Sequence, residues 1–221
     1  MVIIRRSVKY PESTDSYRIG QRPRVKVSIA DYGVGNLHSI RKALELAGAR
    51  PVVESNMRNL LDAEAIVFPG VGAFDAAMAK LDPYRDIILD RLKAGTPCLC
   101  ICIGAQILFE GSEEGEMPGL GLIKGRVVRL PAKRVPHMGW NEVQSDDRLF
   151  EGVPSRYFYF AHSYCARPEE DVVKGVTDYE GEFPSMVRKK NVIGVQFHPE
   201  KSSRSGGVFL RNYVKHLEEK L

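Results

Sequence analysis

Cys98-Leu99-Cys100-Ile101-Cys102-Ile103-Gly104-Ala105-Gln106 holds the most apolar stretch of the chain, which runs up to Gly104. It reads as a central strand from Cys98 to Ile103, buried on both faces, that runs straight into a helix from Ile103 to Glu110. A strand apolar on both sides belongs to a parallel sheet with helices above and below it.

The flanking sequence agrees. Upstream, β-rich runs at Val25 to Ile29, Pro51 to Glu54 and Ala65 to Phe68 alternate with helical patterns from Leu37 to Ala47, Ala73 to Lys80 and Tyr84 to Ala94. Such alternation is the signature of βαβ units. Downstream of Gly111 the character changes to strands without long helices: Gly125 to Leu130, Glu142 to Gln144, Tyr157 to Phe160, Asp171 to Val176, Ser185 to Arg188 and Asn191 to Phe197. A last amphipathic helix runs from about Ser205 to Lys220. The expected fold is α/β, a flavodoxin-like, doubly wound, mostly parallel sheet flanked by helices, with added antiparallel strands in the C-terminal half.

The 221 residues, 43% of them hydrophobic, suit one globular domain, expected over residues 25–221. The formal charge of +4 sits entirely in residues 1–24, so the remainder offers no basic surplus for nucleic acid. Residues 1–24, with Pro11, Gly20 and Pro23 and little periodicity, read as a basic extension: a docking arm, a targeting peptide or a plain tail. Met1-Val2-Ile3-Ile4 meets Arg5-Arg6 too soon for a secretory signal, and no run approaches the ~20 apolar residues of a membrane span, so a cytoplasmic protein with reduced thiols is expected. Cys98, Cys100 and Cys102 alternate along a strand, which does not wrap a tetrahedral ion, and no metal is expected.

The chemistry gathers at the strand ends. Small-x-nucleophile-x-Gly at a strand-to-helix junction is a nucleophile elbow, and Cys102 occupies its centre, where the N-terminus of a helix favours a thiolate. The pattern alone also fits a buried strand cysteine. A cysteine nucleophile needs a base and the base an orienting partner; His198-Pro199-Glu200 follows a strand and reaches the same sheet edge. Alone, that tripeptide is an ordinary turn. The loop Pro69-Gly70-Val71-Gly72 leaves the third strand at this edge, and its Val71 N–H with that of Ile103 would form an oxyanion hole; a phosphate cradle or simple turn would look alike, though no P-loop lysine follows.

Cys102-Ile103-Gly104-Ala105-Gln106, His198-Pro199-Glu200 and Pro69-Gly70-Val71-Gly72, in that combination, resemble the class I (triad) glutamine amidotransferases. Asp31-Tyr32-Gly33-Val34-Gly35-Asn36, Pro136 to Asn141, Tyr159 to Tyr164 and Lys201-Ser202-Ser203 narrow the resemblance to the branch serving imidazole glycerol phosphate synthesis. The resemblance spans about residues 25–219. It implies a glutaminase without cofactor in which Cys102 attacks the carboxamide of glutamine, His198 moves the proton and Glu200 orients the imidazole. It also implies that Gly72, Gln106, His162, Ser163 and Tyr164 hold the substrate, the last three chiefly through their backbone. Asn36, Trp140, Tyr159 and Lys201 would face a separate (β/α)8-barrel cyclase that consumes the ammonia in histidine biosynthesis. One departure stands out: the family usually has glycine where this chain has Cys100. Rival readings are an amidotransferase of anthranilate, guanylate or pyridoxal phosphate synthesis, a silent binding subunit, and a free-standing cysteine hydrolase.

Overall fold

The computed structural model describes residues 24–33, 36–70 and 72–221. The extension, apart from Arg24, and the oxyanion donor expected at Val71 lie outside them. Strand β1 (Lys26–Ala30) leads to helix α1 (Leu37–Leu46), which buries Ile40 and Leu44, one turn apart, and is capped by the Asn36 side chain accepting from Ser39 N at 3.2 Å. The helix stops before Gly48, whose φ of +104° only glycine adopts readily. Strand β2 (Arg50–Glu54) is followed by a short helix α2 (Met57–Leu61), which the sequence reading did not foresee. Strand β3 (Ile66–Phe68), helices α3 (Phe74–Leu81) and α4 (Arg85–Lys93), and strand β4 (Cys98–Ile101) complete the parallel half.

Helix α5 (Ile103–Gln106) is shorter than expected. The carbonyls of Ile107, Leu108 and Phe109 accept from Leu120, Ile123 and Gly121 instead of continuing the helix, so this apolar run is buried beneath a loop. Strand β5 (Gly111–Ser112) and β6 (Gly125–Arg129) follow. Next, β7 occupies His137–Glu142, not Glu142 to Gln144 as expected. Its inward face carries His137 and Asn141 opposite His162 and Phe158, so a search for apolar alternation misses it. Strand β8 (Tyr157–His162) passes at Ser163 into the unforeseen β9 (Tyr164–Pro168), and β10 (Val173–Asp178), β11 (Glu182–Lys189), β12 (Val192–Val195) and α6 (Ser203–Glu218) end the chain.

The main sheet has seven strands in the order β10-β11-β12-β4-β3-β1-β2. Its β12-β4-β3-β1-β2 part is parallel, while β11 and β10 extend it antiparallel. Separate ribbons pair β7 with β8 and β6 with β5 and β9. Helices α2 to α5 bury their apolar residues on one face of the sheet, and α1 and α6 bury theirs on the other. Each fully buried Leu, Ile or Phe contributes about 1.5–3 kcal/mol from removal of apolar surface from water. No helix among the described residues is long and apolar enough to cross a membrane.

Candidate active site

Strand β4 ends at Ile101 and α5 starts at Ile103, so Cys102 alone makes the turn, at φ +53° and ψ −108°. A side chain held there costs about 1–3 kcal/mol in backbone strain. The surrounding structure fixes it. Cys102 N donates to Val195 O at 2.7 Å, extending the β4–β12 ladder, and Cys102 O accepts from Ala105 N and Gln106 N. Glycines admit the tight packing: a β-carbon on Gly70 would lie 2.7 Å from Ile103 Cβ.

Because β12 runs parallel beside β4, with Val195 opposite Ile101, the residues after β12 emerge next to the elbow. His198 N donates to Tyr159 O at 2.8 Å and Ser202 Oγ donates to His198 O at 2.6 Å, pinning the backbone on which the imidazole stands. His198 Nδ1 donates to Glu200 Oε1 at 2.8 Å, both side chains being almost fully buried. Nε2 is therefore the nitrogen left to exchange protons with Cys102, and no hydrogen bond engages it in this arrangement. Burial opposes the imidazolium, but Cys102 and Glu200 outweigh it, and the His198 pKa is pushed up to about 9.

A cavity of about 320 Å³ opens over Cys102. Gly72, Gln106, His162, Ser163 and Tyr164, expected from the sequence to hold substrate, all line it. Ile103 lines it too, and as the first residue of α5 its N–H has no intrahelical acceptor. Sequence reasoning missed Glu114, the carboxylate of this lining. Its Oε2 accepts from Phe74 N at 3.0 Å and so caps α3, whose N-cap residue Ala73 has no side chain able to do so. Burial raises the Glu114 pKa, aided by Asp75 and opposed by the bond from Phe74. Two acids in Gly111-Ser112-Glu113-Glu114-Gly115 are the only sequence hint of it.

Residues 28–216 match the family described as glutamine amidotransferase class-I. The chain belongs to the class-I glutamine amidotransferases. Over 196 residues it is 50% identical to the protein named imidazole glycerol phosphate synthase subunit HisH of Thermococcus kodakarensis, covering 85% of this chain and 98% of that one. The protein of the same name from Methanothermobacter thermautotrophicus is 47% identical, with 86% and 98% covered. Among solved structures, one described as a glutamine amidotransferase superimposes with a TM-score of 0.70 at 21% identity, covering 87% and 98% of the two chains, which speaks for the fold.

Behind the cavity of this amidotransferase the polar groups form two chains that meet at the Tyr164 carbonyl. Gln106 Nε2 donates to Tyr164 O at 3.1 Å and to Gln196 Oε1 at 3.0 Å. His162 Nδ1 donates to the same carbonyl at 2.8 Å, leaving His162 Nε2 to accept from His137 Nδ1 at 3.0 Å. Gln196, His137 and Asn141 are further residues that sequence reasoning left without a role; for Gln196 the signal was an amide in the otherwise apolar run Val192 to Phe197.

Of the residues expected at a partner surface, Trp140 and Tyr159 pair across the β7–β8 ribbon, Lys201 stands beside Tyr159, and Asn36 lies apart at the start of α1. Trp140 is 52% exposed, which excludes a core anchor, and Met138 is 65% exposed. Trp140 meets Tyr159 edge-on at 6.2 Å, and Lys201 Nζ lies 5.9 Å from the Tyr159 ring centre. Asn36 is exposed while capping α1. Cys98 and Cys100, their sulfurs 3.5 Å apart, pack on the α2–α5 face, whereas Cys102 borders the opposite core. Among the described residues no three His, Cys, Asp or Glu side chains are grouped to hold a metal ion.

Proposed function

We propose that this amidotransferase is the glutaminase subunit of imidazole glycerol phosphate synthase. It would hydrolyse glutamine to glutamate and pass the ammonia to a (β/α)8-barrel cyclase in a cytoplasmic heterodimer. The observation that carries the chemistry is the strained Cys102 elbow beside the buried His198–Glu200 pair. The likeness to the two archaeal synthase subunits supports the pathway.

His198 Nε2 takes the Cys102 proton, and the thiolate attacks the carboxamide carbon of glutamine. The oxyanion is met by the N–H groups of Ile103 and Val71. His198 returns the proton to the departing nitrogen, ammonia leaves, and a γ-glutamyl thioester remains. Water, deprotonated by His198, hydrolyses it to glutamate and restores the thiol. Glu200 keeps Nε2 unprotonated in the neutral imidazole by holding the proton on Nδ1, and stabilises the imidazolium when it forms. Gly72, Gln106, His162, Ser163 and Tyr164 shape the glutamine site, and Glu114 is placed to pair with the substrate's ammonium. Trp140, Tyr159, Lys201 and Asn36 dock the cyclase.

The test is glutamate release by the chain alone and with a cyclase barrel loaded with its ribulosyl substrate. Stimulation by the loaded barrel that disappears in Cys102→Ser is expected. Full activity without a partner would instead support a free-standing hydrolase, and silence with the barrel would support a different synthase or a binding subunit.

A further inference from the structure

Gln196 is buried, 4% exposed, just past the end of β12, and its Nε2 lies 3.5 Å from the Cys102 sulfur. We infer that Gln196 is a nucleophile-holding residue: its amide N–H donates to the Cys102 sulfur and stabilises the attacking thiolate. This role rests on the glutaminase reading of the site.

The polarity of the contact is forced. A peptide carbonyl can only accept, so the end of Gln106 that faces Tyr164 O must be its NH2 group. The same nitrogen also contacts Gln196, which must therefore present its oxygen to Gln106. The remaining end of Gln196, its NH2, is then the one that faces Cys102. A flipped Gln196 amide would set two NH2 groups against each other and an oxygen against the sulfur, at a buried site with no water-exposed alternative.

The consequence is specific to the charged state. An amide donor gains most from an anionic acceptor, so Gln196 favours thiolate over thiol and over the thioester sulfur, whose lone pairs accept weakly. It assists formation of the nucleophile, and it assists expulsion of the same thiolate when water opens the thioester. Gln106, which lines the substrate cavity, is thus tied through one amide to the attacking atom.

The test is the pH dependence of Cys102 alkylation by iodoacetamide in the whole chain, followed by mass spectrometry of the Cys102 peptide, for wild type and Gln196→Met. Loss of the donor is expected to move the alkylation midpoint upward by about one pH unit, the scale of one hydrogen bond to a charged group. With glutamine and the loaded barrel, kcat should fall at least tenfold with KM changed less than threefold. An unchanged midpoint in a folded Gln196→Met protein would overturn the inference. Should that variant not fold, the side-chain amide resonance of Gln196 in the wild-type chain is compared with that in Cys102→Ala. A shift of its proton upfield on loss of the sulfur supports the contact, and no change overturns it. Alkylation needs neither glutamine nor partner, so failure of the glutaminase reading would leave this readout intact and be seen separately as absent glutamate release.

Discussion

Gly104 lies directly against the carbonyl of Phe68, so closely that a β-carbon on it would overlap the oxygen. This contact joins the end of β3 to the first turn of α5 and holds the elbow at its strained angles. Nothing flexible is there to yield, because the obstructing atom is backbone. Gly104→Ala should lower unfolding stability by about 1–3 kcal/mol in urea titrations. The surviving folded protein should lose glutamine hydrolysis more than tenfold, since the Cys102 sulfur moves with the turn.

Three buried histidines set the pH dependence of stability. Burial lowers the His137 pKa to about 4. Burial also lowers that of His162 to about 3, against the bond to the Tyr164 carbonyl and with help from His137 and His198. Unfolded histidines titrate near ~6.5, so as pH falls below that value the unfolded chain gains protons that these two refuse, and stability falls. His198, raised to about 9, does the opposite: its contribution is complete below ~6.5 and is lost as pH rises through about 9. The urea midpoint should therefore peak near pH ~6.5 and decline on both sides. His198→Asn should flatten the decline between pH ~6.5 and about 9, while the further decline above it, where burial keeps Cys98 and Cys165 protonated in the fold, should remain; an unchanged slope between ~6.5 and about 9 would refute the assignment.

The parallel half, the sharp turn at Cys102 and the His198–Glu200 pair beside it were legible because each rests on local rules. A doubly apolar strand announces its own burial, and an elbow and a His-Pro-Glu turn place their side chains by backbone geometry. The rest depends on distant partners. The carbonyls of Ile107 to Phe109 satisfy a loop more than ten residues away, so helical periodicity overran the real end of α5. Strand β7 hides because polar His137 and Asn141 occupy its buried face, satisfied by His162 and by the Asp178 carbonyl. Glu114, which lines the cavity, is held there by capping α3, forty residues earlier. No pattern within the strand or loop could reveal these pairings.

Cys100 pairs across the sheet with Gly194 on one side and Phe68 on the other. Its thiol is buried in the core on the α2–α5 face, away from Cys102, which borders the other core. Burial, with Cys100 adding, raises the pKa of adjacent Cys98, which keeps it a neutral thiol. Cys100→Gly should therefore retain glutaminase activity within about threefold while losing about 1 kcal/mol of stability through backbone entropy and lost packing. In the wild type, limited iodoacetamide at neutral pH should label Cys102 in preference to Cys98 and Cys100.

Among the described residues, Glu114 is the one carboxylate in the lining of the cavity over Cys102, which suits it to an ammonium. Glu114→Gln keeps the acceptor for Phe74 N and removes only the charge. It should raise KM for glutamine by about tenfold or more with kcat little altered, as expected for losing a charge-assisted bond made equally in ground and transition states. A fall in kcat at constant KM would place Glu114 in the chemistry instead.

Trp140 presents an exposed ring on the ribbon face that it shares with Met138 and Ala161, both of which line the cavity over Cys102. A large aromatic left in water at the rim of an active site suits the centre of a protein interface, where such residues dominate binding. Trp140→Ala removes no buried packing from the core, so the isolated chain should unfold at the wild-type urea concentration within error. Its affinity for the cyclase barrel should weaken by about thirtyfold or more, the effect of truncating an anchor worth ~2 kcal/mol. Calorimetric titration of the barrel into each protein measures this directly. Equal affinities would move the docking surface off the β7–β8 ribbon.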